Sequence, residues 1–194
     1  MYDIVCLIGE SGSGKDSIFK DVLSSAKKHK IDINPIINCT TRPKRDNEKE
    51  NVDYYYLTLE QFTDKLLKNE LLEATSFNDW FYGTEFSALR EDQVNIGIFN
   101  PDAIYNIKET HNNINLWIYY LEVSGKERLI RQLNREEKPN IDEIIRRYQA
   151  DELDFRFLDF HYNILSNENL KDREEAVKII LNDIYTIGQR KIKN

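Results

Sequence analysis

The feature that most constrains this chain is a glycine-rich segment, GESGSGK, at residues 9–15. It follows a short apolar run, DIVCLI, and precedes a segment whose apolar residues recur at helical spacing. A short apolar run that ends at a glycine is typical of a buried strand in a parallel sheet. Strand, tight turn and amphipathic helix in this order make half of a βαβ unit, which predicts an α/β fold.

The same segment has the spacing G-x-x-x-x-G-K of a phosphate-binding loop. Glycines let the backbone curl so that its N–H groups converge on an anion, while Lys15 and the N-terminus of the next helix add positive charge. A glycine-rich turn without a ligand is the alternative. The residues predicted to bind the nucleotide here, which the family resemblance below identifies as ATP, are Gly9, Glu10, Ser11, Gly12, Ser13, Gly14, Lys15, Asp16 and Ser17.

The position after Lys15 departs from the usual pattern of such loops. Ser or Thr normally stands there and its hydroxyl contacts Mg²⁺, whereas this chain has Asp16 followed by Ser17. Hard oxygen ligands suit Mg²⁺, so Asp16 and Ser17 are the predicted metal residues. Without a bound metal, the Asp16 carboxylate would instead repel the phosphates.

Hydrophobic periodicity predicts the remaining elements. Predicted strands cover residues 3–8, 33–38, 54–57, 71–77, 94–99, 116–123 and 162–165. Predicted helices cover residues 17–30, 59–67, 101–109, 124–135, 141–158 and 171–185. Ser124 is the predicted N-cap of its helix, with Glu127 as capping-box partner. This order favours a doubly wound parallel sheet with one inserted subdomain.

Composition excludes several classes of protein. Lys and Arg number 27 against 34 Asp and Glu, so the net charge of −7 argues against binding nucleic acid or an anionic membrane through bulk charge. No apolar run approaches the roughly 18 residues of a membrane span, and no basic segment typical of a secretory signal precedes the first strand. Two cysteines and three scattered histidines provide neither a disulfide framework nor a metal site. We therefore expect a cytoplasmic protein, either a monomer or a homodimer.

A second group of candidate residues follows the second predicted strand. Arg42 and Arg45 lie three residues apart in a polar segment, and Tyr54 follows nine residues beyond. Two guanidinium groups and a phenol predict a site for a second phosphate. Farther on, Glu73 is followed nine residues later by the sequence Tyr82, Gly83, Thr84.

The motifs TTRPKR…VDYYY and LLE…WFYGT resemble the acceptor segment of guanylate kinases, without gaps from Thr40 to Thr84. The resemblance implies a P-loop kinase that transfers phosphate from ATP to GMP or dGMP, with Mg²⁺ as cofactor. It implies that the acceptor is held by Asn38, Arg42, Arg45, Tyr54, Glu73, Tyr82, Gly83 and Thr84, with Glu73 reading the guanine. Asn100 and Asp102 stand where the family has Asp-x-Asp.

The resemblance continues through LEVSGKERLIRQLNRE and YNILSNENL. It implies that Arg131, Arg135 and Arg147 clamp the ATP phosphates and that Asn167 lies near the adenine; the implied catalytic residues are Lys15, Arg42, Arg45, Arg135 and Arg147. It also implies a single domain. Its core would be at about 1–37 and 94–194, its small mixed α/β acceptor-binding insert at about 38–93 and its helical lid at about 131–146.

Two other readings stay open. The tetrapeptide GKDS also resembles ribose 1,5-bisphosphate phosphokinases, so the acceptor could be a sugar phosphate or another (deoxy)nucleotide. A guanylate-kinase-like interaction module without catalytic activity is the alternative from another class. Such modules typically lose phosphate-loop residues, whereas this chain keeps Gly14, Lys15, Arg42 and Arg45.

Overall fold

The computed structural model describes residues 1–45, 48–77, 79–135 and 137–193. The strands within this part of the chain are β1 (Tyr2–Ile8), β2 (Ile33–Pro35), β3 (Cys39–Thr40), β4 (Tyr55–Tyr56), β5 (Leu71–Phe77), β6 (Trp80–Glu85), β7 (Val94–Ile98), β8 (Ile114–Glu122) and β9 (Asn163–Ser166). The helices are α1 (Lys15–His29), α2 (Leu59–Leu67), α3 (Pro101–Thr110), α4 (Gly125–Leu133), α5 (Ile141–Asp154) and α6 (Leu170–Lys193). No helix in these ranges is long and apolar enough to cross a membrane.

The central sheet has the order β2-β7-β1-β8-β9, and every neighbouring pair is parallel. β1 lies in the middle, and its alternating side chains enter two cores. Val5 and Leu7 pack with α1 and α6 on one face, while Ile4, Cys6 and Ile8 pack with α3 on the other. The uninterrupted apolar run of β1 therefore reflects burial on both faces, and the predicted doubly wound α/β class is confirmed.

The second sheet is small and mixed, with the order β4-β3-β6-β5. β3 pairs in parallel with β4 and antiparallel with β6, which also pairs antiparallel with β5. Helix α2 covers this sheet through Phe62, whose ring lies 5.5 Å from that of Phe81. All four strands lie inside the predicted insert at 38–93. Residues 46, 47 and 78 of that insert and residue 136 of the predicted lid lie outside the described residues.

Several element boundaries differ from the prediction. β6 is not predicted at all, because Gly83 lowers its intrinsic strand preference and only pairing with β3 and β5 supplies its hydrogen bonds. α1 begins at Lys15 rather than at residue 17, because Gly14 at φ +88° is already its N-cap. β2 ends at Pro35, three residues before the predicted end, although the Ile36 N–H still donates to the Ile96 carbonyl of β7 at 2.8 Å. α5 ends at Asp154, four residues before the predicted end, whereas α6 extends to Lys193.

The predicted capping box at α4 is only half formed. Ser124 is the N-cap, and its hydroxyl accepts the Glu127 N–H at 3.3 Å. The Glu127 carboxylate pairs instead with Arg131 at 2.9 Å, and the Ser124 N–H donates to Glu168 at 2.8 Å. A glutamate brought in by the β9–α6 connection thus replaces the local partner, which a local sequence motif does not specify.

A buried amide ties together three segments at the amino-terminal side of the central sheet. Asn95 on β7 is fully buried, and its Nδ2 donates to the carbonyls of Arg90 at 2.8 Å and Asp3 at 3.1 Å. Its Oδ1 accepts the Arg90 N–H and the Asn34 side-chain N–H, both at 2.8 Å. All its polar capacity is therefore used inside the protein.

We expect Asn95→Ala to lower the free energy of unfolding by about 2–3 kcal/mol, because it leaves several buried backbone groups without partners. Urea denaturation followed by circular dichroism measures the change. Asn112→Ala, at an exposed turn position, is the matched control and should change stability by less than about 0.5 kcal/mol. Equal effects of the two substitutions would contradict the role assigned to this network.

Candidate functional site

The candidate site begins at the loop between β1 and α1. Gly12 and Gly14 have φ angles of +84° and +88°, which L side chains rarely adopt. A Cβ on Gly12 would also lie 2.6 Å from the Arg128 carbonyl oxygen. The Ser13 N–H donates to the Glu10 carbonyl at 3.1 Å and closes the turn. The loop therefore has the inward curl that the motif predicts.

The lysine of the motif, Lys15, lies against this loop. Its Nζ donates to the Glu10 carbonyl at 3.1 Å and also to the Gly9 carbonyl. Burial lowers the pKa of this ammonium, while nearby carboxylates, foremost Asp16, oppose that effect. The ammonium thus lies in an environment that favours an additional anion next to it.

Two of the predicted donor-site residues support the loop from outside. Arg131 donates to the carbonyls of Asn167 at 2.7 Å and Glu168 at 2.9 Å. The Asn167 amide in turn donates to the Ser13 carbonyl at 2.6 Å. The β9 end and α4 are therefore connected directly to the phosphate-binding loop.

A cavity joins this loop to the second sheet. Among the predicted residues, its lining includes Gly9, Ser11, Lys15, Asn38, Tyr54, Glu73, Tyr82 and Asn100. Residues that the sequence analysis did not assign to the site also line it: Thr75, Ile98, Phe99, Ala103, Asp151, Asp154 and Phe155. The fold therefore brings together the two groups of residues that the sequence separates by more than twenty positions.

Five predicted acceptor residues are not among those found to line this cavity in the described chain: Arg42, Arg45, Gly83, Thr84 and Asp102. Asp102 is exposed on the first turn of α3. Gly83 lies under α2, where a Cβ would approach the Phe62 ring to 3.2 Å. Gly83 thus allows close packing of α2 on β6, a structural role that the motif alone does not reveal.

Glu73 on β5 is the most unusual group in the cavity. It is 6% exposed, and its Oε1 accepts the Thr84 hydroxyl at 2.7 Å. Its Oε2 is buried and has no hydrogen-bond partner among the described residues. Burial raises the pKa of this carboxyl from 4.5 to about 7. A buried acceptor of this kind favours a ligand that brings N–H donors.

Two amides extend the same wall. Asn38 donates to the Ile98 carbonyl at 2.8 Å, and its Oδ1 lies 3.1 Å from the Thr84 hydroxyl oxygen. Asn100 caps α3 by accepting the Ala103 N–H at 2.8 Å and donates to the Thr75 hydroxyl at 3.2 Å. Both side chains therefore attach the small sheet to the carboxyl ends of the central strands.

The arginine at the predicted second phosphate site is held by a glutamate that the sequence analysis missed. Arg42 is 5% exposed and donates through Nη2 to both oxygens of Glu48 at 2.8 and 2.9 Å. Burial disfavours the ionised form of Glu48, but hydrogen bonds from Arg42, Arg45 N–H and Tyr56 lower its pKa to about 2. An acidic residue three positions after Arg45 was the available signal.

Aromatic rings surround the same guanidinium. Arg42 lies 5.5 Å from the centre of the Tyr54 ring, and the Tyr54 and Tyr82 rings are 6.2 Å apart. Burial, followed by the charge of Asp16, raises the pKa of Tyr54, so its phenol stays protonated and can donate to an anion. The three predicted residues therefore lie together, and Tyr54 and Tyr82 line the cavity.

Three predicted arginines face a neighbouring pocket between the small sheet and α5. Arg45, Arg135 and Arg147 line it together with Glu143. Burial, and then the charges of the other arginines, foremost Arg147, lower the pKa of Arg45. Arg147 is paired with Glu143 at 2.7 Å. The pocket brings together positively charged side chains from the segment after β3 and from the α4–α5 region, and therefore suits a polyanion.

We expect Glu73→Gln to stabilise the protein without nucleotide at high pH. A folded-state pKa above the unfolded value means that this carboxyl stabilises the fold when protonated, and that the contribution is lost as the pH rises from about 4.5 to about 7. The variant should gain on the order of 2 kcal/mol at pH 8 and little at pH 4.5. Thermal unfolding at the two pH values measures this. Glu70→Gln, at an exposed carboxylate, should show no such pH-dependent gain.

Comparisons with known proteins agree with this geometry. The family model described as guanylate kinase matches residues 1–184. The guanylate kinase of Thermotoga maritima is 32% identical over 183 residues, which cover 92% of this chain and 84% of that protein. The guanylate kinase of Prochlorococcus marinus subsp. pastoris is 30% identical over 185 residues, which cover 91% of this chain and 96% of that protein.

A solved structure shows the same fold. The crystal structure of guanylate kinase from Anaplasma phagocytophilum superposes with a TM-score of 0.68 at 16% sequence identity and covers 96% of this chain and 86% of that one. The family match extends over the phosphate-binding loop, the small sheet and the arginine pocket together. The chain therefore belongs to the guanylate kinase family.

Proposed function

We propose that this protein transfers the γ-phosphoryl group of ATP to GMP or dGMP. The observation that carries the proposal is a single cavity lined both by Lys15 of the phosphate-binding loop and by the buried carboxylate of Glu73. The bond between the γ-phosphorus and the β,γ-bridging oxygen breaks, and a bond from that phosphorus to an oxygen of the acceptor phosphate forms. ADP leaves with the bridging oxygen, and the acceptor becomes the diphosphate.

Glu73 selects the base. Its unpartnered Oε2 accepts hydrogen from guanine, which presents N1–H and an exocyclic amine side by side. Adenine N1 carries no hydrogen, so the same carboxylate would face a bare acceptor. The Thr84 hydroxyl, which donates to Glu73 Oε1 and lies beside Asn38, holds the carboxylate at this position.

Arg42, Arg45, Tyr54 and Tyr82 hold the phosphate of the acceptor. Glu48 orients the Arg42 guanidinium through two hydrogen bonds. The attacking phosphate oxygen is already an anion, so the reaction needs no general base. Positioning of the two phosphates in line supplies most of the rate.

The donor lies against the phosphate-binding loop, where Lys15 and the loop amides balance the charge that develops on the transferred group. Arg135 and Arg147, which line one pocket with Arg45, bind the donor phosphates in this proposal. The positive charges of the arginines in this pocket repel one another, and a polyphosphate bound between them offsets that repulsion. Closure of the α4–α5 segment over the donor excludes water, which would otherwise accept the phosphoryl group.

Mg²⁺ is the proposed cofactor, and the oxygen-rich start of α1 fits it. Asp16 is exposed on the first turn of this helix, directly after Lys15, and Ser17 follows. A carboxylate and a hydroxyl are hard ligands that would hold the ion directly or through water. The ion would supply further neutralisation of the phosphate oxygens. We also propose that the protein works in the cytoplasm, which the two buried free thiols of Cys6 and Cys39 support.

An acceptor panel tests the proposed function. Purified protein with ATP and Mg²⁺ should release ADP rapidly with GMP and dGMP, and at least about tenfold more slowly per mole with AMP, because a buried charged group without its donor is costly. ADP release is followed by a coupled assay. Preference for ribose 1,5-bisphosphate would move the assignment to a sugar-phosphate kinase, and no turnover with any acceptor would favour an interaction module.

Lys15→Ala should lower kcat by about 100-fold or more, because the ammonium stabilises charge that shifts during phosphoryl transfer. The thermal unfolding midpoint should change little, since the side chain lies at the loop rather than in either hydrophobic core. Lys27→Ala, at an exposed position of the same helix, should retain normal turnover. Near-normal kcat for the Lys15 variant would contradict a role in catalysis.

The KM for GMP should fall as the pH is raised from 6 to 8, because the pKa of Glu73 is about 7 and only the ionised carboxylate accepts both guanine donors. Glu73→Gln should raise the KM for GMP by about tenfold or more at pH 8 and leave the KM for ATP within about twofold. The variant also serves as the reference for titration of the acceptor phosphate itself. Identical pH profiles for the two proteins would argue against Glu73 as the base reader.

A further inference from the structure

We propose that Asp151 is an additional donor-site residue, whose carboxylate competes with the nucleotide phosphates for the Ser11 amide and is received by Arg128 when nucleotide binds. This inference rests on the proposed function, because it takes the glycine-rich loop to be the donor site. It gives a function to a residue of α5 that belongs neither to the loop motif nor to the arginine pocket.

Asp151 lies on the last turn of α5 and lines the cavity together with Lys15. Its Oδ2 accepts the backbone N–H of Ser11, inside the glycine-rich loop, at 2.7 Å. Backbone N–H groups of such loops are the donors that bind nucleotide phosphates. A carboxylate on one of these donors is therefore an internal anion at the place where the donor's anion binds.

Arg128 offers this carboxylate a second position. Its guanidinium is 3% exposed, and Nε and Nη1 have no hydrogen-bond partner in the described part of the chain. Nη1 lies 3.8 Å from Asp151 Oδ2, which is close enough for attraction but about 1 Å too far for a hydrogen bond. A small displacement of Asp151 away from Ser11 would satisfy a buried donor that is otherwise unused.

Other contacts hold Arg128 in place so that the carboxylate is the group that moves. Its guanidinium lies 4.7 Å from the centre of the Tyr148 ring, and its Nη2 is 3.3 Å from Glu10 Oε1. The other oxygen of Glu10 accepts the Tyr120 hydroxyl at 2.6 Å. The main chain of Arg128 is also fixed, because Gly12 packs directly against its carbonyl.

Binding of the donor therefore breaks the contact of Asp151 with Ser11 and allows a new contact with Arg128 to form. A phosphate that takes the Ser11 N–H has to displace a charge-assisted acceptor, which weakens binding. Transfer of the carboxylate to Arg128 compensates for the lost hydrogen bond and moves a negative charge away from the loop. Removing Asp151 should therefore strengthen donor binding, whereas removing Arg128 alone should weaken it, since the displaced carboxylate then has no partner.

Calorimetry with a non-hydrolysable ATP analogue and Mg²⁺ tests this on the full-length chain. Asp151→Asn keeps an acceptor for Ser11 but removes the charge, and we expect it to lower the Kd about fivefold or more. Arg128→Met should raise the Kd about fivefold or more. In the double variant the Kd should lie within about twofold of that for Asp151→Asn alone, because Arg128 acts only through the carboxylate.

The matched control is Glu152→Gln. Glu152 is the next residue along α5 and has a carboxylate oxygen 3.8 Å from Arg128 Nη2, but it is 54% exposed. This control removes the same charge from the same surroundings, and its Kd should stay within about twofold of that of the wild-type protein. A general electrostatic effect would instead give Glu152→Gln the same gain in affinity as Asp151→Asn, and would overturn the proposal.

An unchanged or higher Kd for Asp151→Asn overturns the inference by itself, even where Arg128→Met fails to fold in a thermal-unfolding control. The proposed function is judged separately by turnover of GMP. Wild-type protein that phosphorylates GMP, while Asp151→Asn binds the ATP analogue no more tightly, leaves the function in place and removes the inference. Tighter binding by Asp151→Asn without GMP turnover in the wild-type protein supports the inference and contradicts the proposed function.

Discussion

The whole site depends on the burial of β1 between two hydrophobic cores. Because β1 is the middle strand of an all-parallel sheet, its carboxyl end opens at the edge where every neighbouring strand also ends. The glycine-rich loop leaves from this point, and polar residues that follow β7 and β9 lie near it: Asn100, which lines the same cavity, and Asn167, which donates to the Ser13 carbonyl. The parallel pairing thus gathers side chains from distant parts of the sequence around one loop.

The small sheet contributes a different kind of chemistry. Its strands are short and depend on one another, yet this sheet and its connections hold a buried carboxylate in the cavity and a buried arginine beside a tyrosine that lines it. Glu73 lies in surroundings that disfavour its charge, whereas Glu48 is stabilised as an anion by Arg42 and Tyr56. In the proposed function, the first arrangement leaves an acceptor for the base, and the second fixes a cation for the phosphate. The site thus combines Glu73, whose ionisation reduces the stability of the fold, with Glu48, whose ionisation increases it.

Charge around the donor loop follows the same principle. Three acidic side chains lie near Lys15, in the region proposed to receive a polyanion. Two of these acids, Glu10 and Asp151, lie 3.3 and 3.8 Å from nitrogens of the buried Arg128, and the third, Asp16, is exposed at the start of α1. The loop is thus surrounded by negative charges that can be neutralised or moved, which separates this protein from a loop whose only charged group is lysine.

Local patterns in the sequence determined the α/β class, helix α2 with its bounds, and the loop conformation, because each depends on neighbouring residues: apolar periodicity, turn glycines and caps. The residues of both proposed phosphate sites were predicted from their spacing, together with the family resemblance. Only the tertiary structure decided the pairing of β6, the Ser124–Glu168 contact, the roles of Glu48 and Gly83, and the positions of Asp151 and Arg128. These depend on partners that are far apart along the chain and meet only when the sheets and helices pack. The charge of Asp151 is visible in the sequence, but its contact with Ser11, 140 residues away, is not.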